Sequence, residues 1–253
     1  MLPRSAVGDA AGDAHRPWPA PRAPWVLGQS WHDLLFAHWP VDPAALRPLV
    51  PADLPIDTYE GHAWVGVVPF TMVNVRLRAT PALPPFPELN VRTYTTVGGR
   101  PGVYFFSLDA ANRRAVLTAR QLLGLPYHRA EMSSTVVDGW VDYRSRRSGN
   151  GVRAELVARY RPIGDEFRAE PGSLAEFLTE RYCLYTVGWA GGISRLEIAH
   201  PPWPLQPAEA VISANTMLAP LGLELPDVDP ILYYSARIAV RTWPPYRVAP
   251  PPR

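Results

Sequence analysis

The chain has 253 residues, 47% of hydrophobic types and nine of them tryptophan, which excludes a disordered chain and allows one sizeable buried core. Its 25 cationic and 23 acidic residues leave a formal net charge of +2, scattered rather than massed, which argues against a nucleic-acid partner. Every one of the 25 cations is arginine, so no lysine Schiff base can form, whatever chemistry the protein performs.

The opening Ala/Pro/Arg/Asp stretch, residues 1–24, reads as a disordered tail, and the Pro-rich residues 247–253 as a second one. Between them, residues 25–246 form a single domain. Neither a secretory leader nor a membrane span of about 18 apolar residues is visible, so the default location is cytoplasmic.

Along that domain the first strand signal covers residues 34–38, after which Asp42 and Pro43 read as N-cap and first residue of a helix ending near Val50. Strands follow over 63–76, 88–96 and 103–109. A helix begins after Asn112, carries Val116, Ala119, Leu122 and Leu123 on one face, and ends at Gly124. Residues 134–144 read as one strand, joined through Ser-Gly-Asn-Gly to a half-wet strand over 152–161. A third helix over 173–181 and strands over 182–187 and 231–242 complete the pattern. Mostly antiparallel strands with a few covering helices imply a closed or nearly closed barrel around a lumen.

Glu88-Leu-Asn-Val-Arg-Thr-Tyr94 alternates strictly, placing Glu88, Asn90, Arg92 and Tyr94 on one face. That face meets either water or a barrel interior. The next strand, Val103-Tyr-Phe-Phe-Ser-Leu108, is largely apolar on both sides and so buried twice, which leaves its neighbour free to present polar groups to a cavity. Downstream, Arg120 lies six residues before Pro126, which is followed by Tyr127, His128 and, shortly after, Glu131 at a strand entrance.

Other chemistry-bearing types give weaker signals. Cys183 is the only cysteine and sits in an apolar run, as a packing thiol does. His38, His62 and His200 lack metal-ligand spacing, and no metal or cofactor is expected. His200-Pro-Pro-Trp203-Pro-Leu-Gln206 reads as a rigid loop whose Trp203 seals a barrel end. Ser107 and Ser134 lack the glycines of a nucleophile elbow.

The segment Arg120 to His128 resembles the acetoacetate decarboxylase superfamily, in which an arginine six residues before a proline precedes two lysines, one of them the Schiff-base residue. Tyr127 and His128 stand where those lysines would be. Asp42-Pro-Ala-Ala-Leu-Arg-Pro-Leu-Val-Pro51 is similar to that superfamily's first helix. Within it the chain looks closest to the uncharacterised bacterial "domain of unknown function 2071" group, through His38-Trp-Pro-Val41, Ala63-Trp-Val-Gly-Val-Val-Pro-Phe70, Pro87-Glu-Leu-Asn-Val-Arg-Thr-Tyr94, Leu125-Pro-Tyr-His128, Thr179-Glu-Arg-Tyr-Cys-Leu-Tyr185 and Pro202-Trp-Pro-Leu-Gln206. The resemblance implies an acetoacetate decarboxylase-like β-barrel or cone, often a homo-oligomer, without the imine chemistry.

The expectation is therefore a barrel pocket for a small carboxylate or carbonyl compound. His128, Tyr127 and Glu88 are the catalytic candidates and Asn90, Arg92, Tyr94, Arg120 and Glu131 the substrate-binding ones. The reaction these groups permit is proton transfer of hydratase, isomerase or tautomerase type. The alternative is a non-catalytic ligand sensor or scaffold, which loss of the lysine favours.

Overall fold

The computed structural model describes residues 15–112, 124–148, 151–187 and 191–248. Its described strands are β1 (Leu27–Val41), β2 (Ala63–Leu77), β3 (Phe86–Val97), β4 (Arg100–Ala110), β5 (Tyr127–Val137), β6 (Trp140–Arg147), β7 (Glu155–Pro162), β8 (Cys183–Val187), β9 (Ile193–Ala199), β10 (Gln206–Asn215), β11 (Ile231–Thr242) and β12 (Tyr246–Arg247), with short helices α1 (Pro43–Leu46) and α2 (Leu174–Thr179).

The strands lie in the order β12-β9-β8-β4-β3-β2-β1-β11-β10-β7-β6-β5, and two further pairings, β9 with β11 and β4 with β5, close this sheet on itself twice. One closure is a ring of seven strands: β9, β8, β4, β3, β2, β1 and β11. The other is a nine-strand ring that runs from β4 through β3, β2, β1, β11, β10, β7 and β6 to β5. Strands β1, β2, β3, β4 and β11 belong to both. Because side chains alternate across a strand, each shared strand sends one set of residues to each ring. One apolar cluster holds Phe36, Phe70, Tyr94, Phe105, Leu184, Leu196 and Trp203, and the other holds Trp39, Val67, Leu89, Val91, Tyr143, Leu156 and Tyr160. The expected acetoacetate decarboxylase-like barrel is thus present, with a second packed layer on its back.

Local sequence explains most element ends. The Asp42 carboxylate accepts from the Ala44 amide at 2.8 Å, Pro43 takes the first helical position, and a 3-10 turn (Arg47–Leu49) ends the helix before Pro51. Ser173 caps α2, which stops at Thr179, short of the expected 181. The strand expected over 134–144 is two strands: Asp138 and Gly139, at φ of 51° and 77°, make a two-residue hairpin turn between β5 and β6. β1 starts at Leu27, seven residues before its alternation becomes legible, because register shifts between Gly28 and Ser30 and between His32 and Ala37 break the period of two. β9 and β10 had no counterpart in the sequence reading. The helix expected after Asn112 lies outside the described residues, as do the two central residues of the Ser-Gly-Asn-Gly turn.

The N-terminal tail needs correction from residue 15 onward. Arg16 and Trp18 are buried, and Arg16 Nη2 and Trp18 Nε1 donate to Glu197 Oε2 at 3.2 and 2.7 Å. An aromatic ring and a paired guanidinium therefore dock this stretch on β9. Cys183 is buried, and its burial pushes the thiol up to about 12, as suits a packing residue.

Candidate functional site

The seven-strand ring encloses a cavity of about 70 Å³, several times the ~10–15 Å³ that one water requires. Gln29 and Trp31 from β1, Phe70 and Met72 from β2, Glu88, Asn90 and Arg92 from β3, and Phe105 from β4 form much of its wall. Tyr127 enters at the start of β5, Thr179 ends α2, and Arg181, His200 and Trp203 come from the segments after α2 and β9. Glu88, Asn90 and Arg92 are each less than a tenth exposed, so the polar face of β3 looks into the lumen.

At one end, Tyr127 donates to Glu88 Oε2 at 3.0 Å. Burial lifts the Glu88 carboxyl from its ordinary 4.5 to about 8; the Tyr127 hydrogen bond opposes this and the negative charge of Asp109 adds to it. Glu88 is thus a neutral acid at pH 7, able to donate or release a proton. Burial and the same carboxyl push the Tyr127 phenol well above its usual value, which fixes it as a donor. Tyr143, from the nine-strand ring, donates to the Glu88 backbone carbonyl at 2.7 Å and steadies the strand from behind.

At the other end stands Arg92. Its Nη2 donates to the Leu178 carbonyl at 3.2 Å and its guanidinium lies over the rings of Phe36 and Tyr94, at 5.2 and 5.7 Å. Among the described residues no carboxylate lies within ion-pair distance of it. Arg181, by contrast, is neutralised by Asp57 at 2.9 Å. Gly66, paired with Arg92 across the β2–β3 ladder, makes room: a Cβ there would lie 2.6 Å from His38 Nε2 and 3.3 Å from Arg92 Cγ. His38 itself is held neutral, well below its usual value, by burial and then by the Arg92 charge.

Five buried polar atoms on cavity-lining residues have no protein partner: Gln29 Oε1, Trp31 Nε1, Asn90 Oδ1, Arg92 Nε and Trp203 Nε1. Buried polar groups are nearly always paired; other unpaired atoms, Ser145 Oγ and Ser235 Oγ among them, lie away from the cavity, and these five are distinguished by surrounding one space.

The structure divides the residues singled out in the sequence. Glu88, Asn90, Arg92 and Tyr127 line the cavity together. Tyr94 is fully buried behind Arg92, where its hydroxyl donates to the Leu178 carbonyl at 2.9 Å and lies 2.6 Å from His38 Nε2; it supports the wall. His128 is displaced from the expected site. It follows Tyr127 by one residue and so faces the other side of β5, with Ala130 and Met132, the latter packed against the nine-strand core. Glu131 is displaced too, because β5 pairs with β4 only as far as Ala110↔Arg129 and then parts from it. Its carboxylate meets Arg146 on the surface at 2.6 Å. Arg120 lies outside the described residues. Gln29, Trp31, Arg181 and His200 went unrecognised, the first two because the bulges in β1 hide their alternation, and Trp203 both seals and lines the cavity.

A closed ring of strands with acidic, basic and aromatic groups turned into one lumen is the architecture of the acetoacetate decarboxylase-like fold, and known structures bear out the class. The enduracididine biosynthesis enzyme MppR, solved in complex with pyruvate, superposes with a TM-score of 0.62 at 13% identity over 89% of this chain and 91% of its own. An acetoacetate decarboxylase structure gives 0.59 at 17% identity over 90% and 91%. The particular family is set by sequence: residues 28–239 match the model of DUF2071, described as an uncharacterized conserved protein, and the chain belongs to that family. The uncharacterized protein YqjF of Bacillus subtilis (strain 168) is 49% identical over 223 residues, 87% of this chain and 91% of that protein.

Across the described residues no helix is long and apolar enough to cross a membrane, and no group of three or more His, Cys, Asp or Glu is placed to hold a metal ion.

Proposed function

We propose that this chain binds a small carboxylate or carbonyl compound in the seven-strand lumen and exchanges a proton with it, as hydratases, isomerases and tautomerases do. Arg92 holds the carboxylate, and Glu88, protonated and positioned by Tyr127, is the acid. His128, the sequence's first choice for that proton, is replaced by Glu88 because only the latter faces the cavity. The observation that carries the reading is the buried Arg92 cation, to which no carboxylate among the described residues is paired. An unpaired buried charge is costly, and an anionic ligand supplies the missing partner.

The superfamily's imine route is closed in the absence of lysine, so the acid must act on the substrate directly. A carboxyl titrating near 8 is matched to proton transfer at neutral pH. The non-catalytic sensor uses the same cavity and differs only in turnover.

Isothermal titration with keto, hydroxy and unsubstituted acids of three to five carbons tests the anchor. Wild type should bind at least one of these classes, and Arg92→Gln should weaken it roughly 10- to 100-fold, the value of a charge-assisted hydrogen bond. Equal affinity in both proteins would remove Arg92 from the role. Deuterium uptake from heavy water into the bound acid, followed by NMR, then separates the enzyme from the sensor: uptake lost in Glu88→Gln is the enzyme's result, and binding without uptake the sensor's.

A further inference from the structure

We infer that the bound acid carries a hydroxyl group, read by an indole and an amide oxygen among Gln29, Trp31, Trp203 and Asn90 on the cavity wall; this deepens the carboxylate reading above and rests on it. The ladders locate these groups. Trp31 pairs with Met72, and Glu88 pairs with Phe70 two residues away on the same strand, so Trp31 and Glu88 stand one step apart across β2. The Trp31 ring lies 5.3 Å from that of Phe70 and stacks at 5.8 Å on Trp203. Gln29, two residues before Trp31, also lines the cavity. Asn90 falls between Glu88 and Arg92, which are separated by about 13 Å of strand.

The unpaired atoms are of two kinds. Trp31 Nε1 and Trp203 Nε1 can only donate; Gln29 Oε1 and Asn90 Oδ1 can only accept. Asn90 and Trp203 are more than nine-tenths buried, so neither group is answered by bulk water. An oxo group satisfies the indoles and leaves both amide oxygens unpaired. An alkyl chain leaves all four unpaired. A hydroxyl accepts from the indoles and donates its single proton to one of the two amide oxygens, and it alone among these answers both kinds. A second carboxylate is disfavoured beside Glu88, where the negative charge of Asp109 already raises the carboxyl. The substrate class is therefore a short hydroxy acid, its carboxylate on Arg92.

Matched acids of equal length, unsubstituted, oxo and hydroxy, titrated into the wild-type chain test this directly. The hydroxy acid should bind at least tenfold tighter than either analogue, because a site built to pair a hydroxyl is left with unpaired groups by a ligand lacking one. Gln29→Met and Trp31→Phe, each checked for an unchanged circular dichroism spectrum, should lose that preference while still binding the unsubstituted acid. If all three acids bind equally and still depend on Arg92, the hydroxyl subsite is wrong and the anchor stands. If the preference survives in both variants, other groups read the hydroxyl and the inference also fails. Should no acid bind, both readings fall together.

Discussion

The two rings of this protein share five strands and use them oppositely. Toward the nine-strand ring, β3 sends Leu89 and Val91 into an apolar cluster with Tyr143 and Tyr160, whose hydroxyls are taken up by the Glu88 and Asp33 carbonyls. Toward the seven-strand ring the same strand sends Glu88, Asn90 and Arg92, around which several polar atoms find no protein partner. One side is filled mainly by apolar packing, and the other keeps a cavity. The strand has no face toward water, so its polar alternation cannot be the ordinary pattern of a surface strand; on a doubly buried strand it marks a lumen.

Neighbouring residues on β3 give the sharpest test of this contrast. Leu89→Ala, on the packed side, should cost about 2–5 kcal/mol in urea unfolding, the usual range for a cavity cut into a tight core. Asn90→Leu, on the open side, should leave stability unchanged or raise it, since a polar atom without a partner is exchanged for an apolar one, while ligand binding disappears. If the two substitutions cost the same, the open side is packed as tightly as the other, and the distinction between the rings is lost.

How much of this was legible in the sequence follows from the same geometry. The alternation of 88–94 and the two-sided apolarity of 103–108 gave the lumen-facing strand and its buried neighbour, because both patterns depend only on neighbours in the chain. His128 was misplaced because a one-residue offset along β5 decides which ring a side chain meets, and motif spacing does not carry that parity. Glu131 was misplaced because β5 changes neighbours beyond Arg129, a fact of tertiary pairing. Gln29 and Trp31 were hidden by bulges, and His200 and Trp203 reach the cavity from a loop without periodicity. The Asp138-Gly139 turn is a short signal set inside an otherwise continuous strand pattern.

A smaller effect tests the electrostatic side of the comparison. Glu88 titrates near 8 in the folded protein and near 4.5 when unfolded, so between those values the native state binds the extra proton. Its contribution to stability is fully present below about 4.5 and is lost as pH rises through about 8. Glu88→Gln keeps the acceptor for Tyr127 and removes the titration. The variant should match wild type near pH 5 and melt roughly 10 °C higher at pH 8.5, with a flatter profile between. Parallel melting curves across that range would mean that Glu88 is ionised in the cavity and cannot serve as its acid.

The smallest effect is expected at Glu131, the other carboxylate that the sequence brought forward. It sits on the surface with Arg146, both side chains more than half exposed, and Arg146 holds its carboxyl below the usual range through a hydrogen bond that solvent and salt compete with. Glu131→Ala should leave melting temperature, ligand affinity and pH profile as they are, in low salt and high. The null result is informative because Tyr127, Arg129 and Glu131 share one face of β5. That face looks into the lumen at Tyr127 and out to solvent at Glu131 only if β5 parts from β4 where the ladder ends. A loss of binding in Glu131→Ala would mean that β5 stays beside β4 further along its length. The cavity would then extend beyond Tyr127, and a second acid would share the site with Glu88.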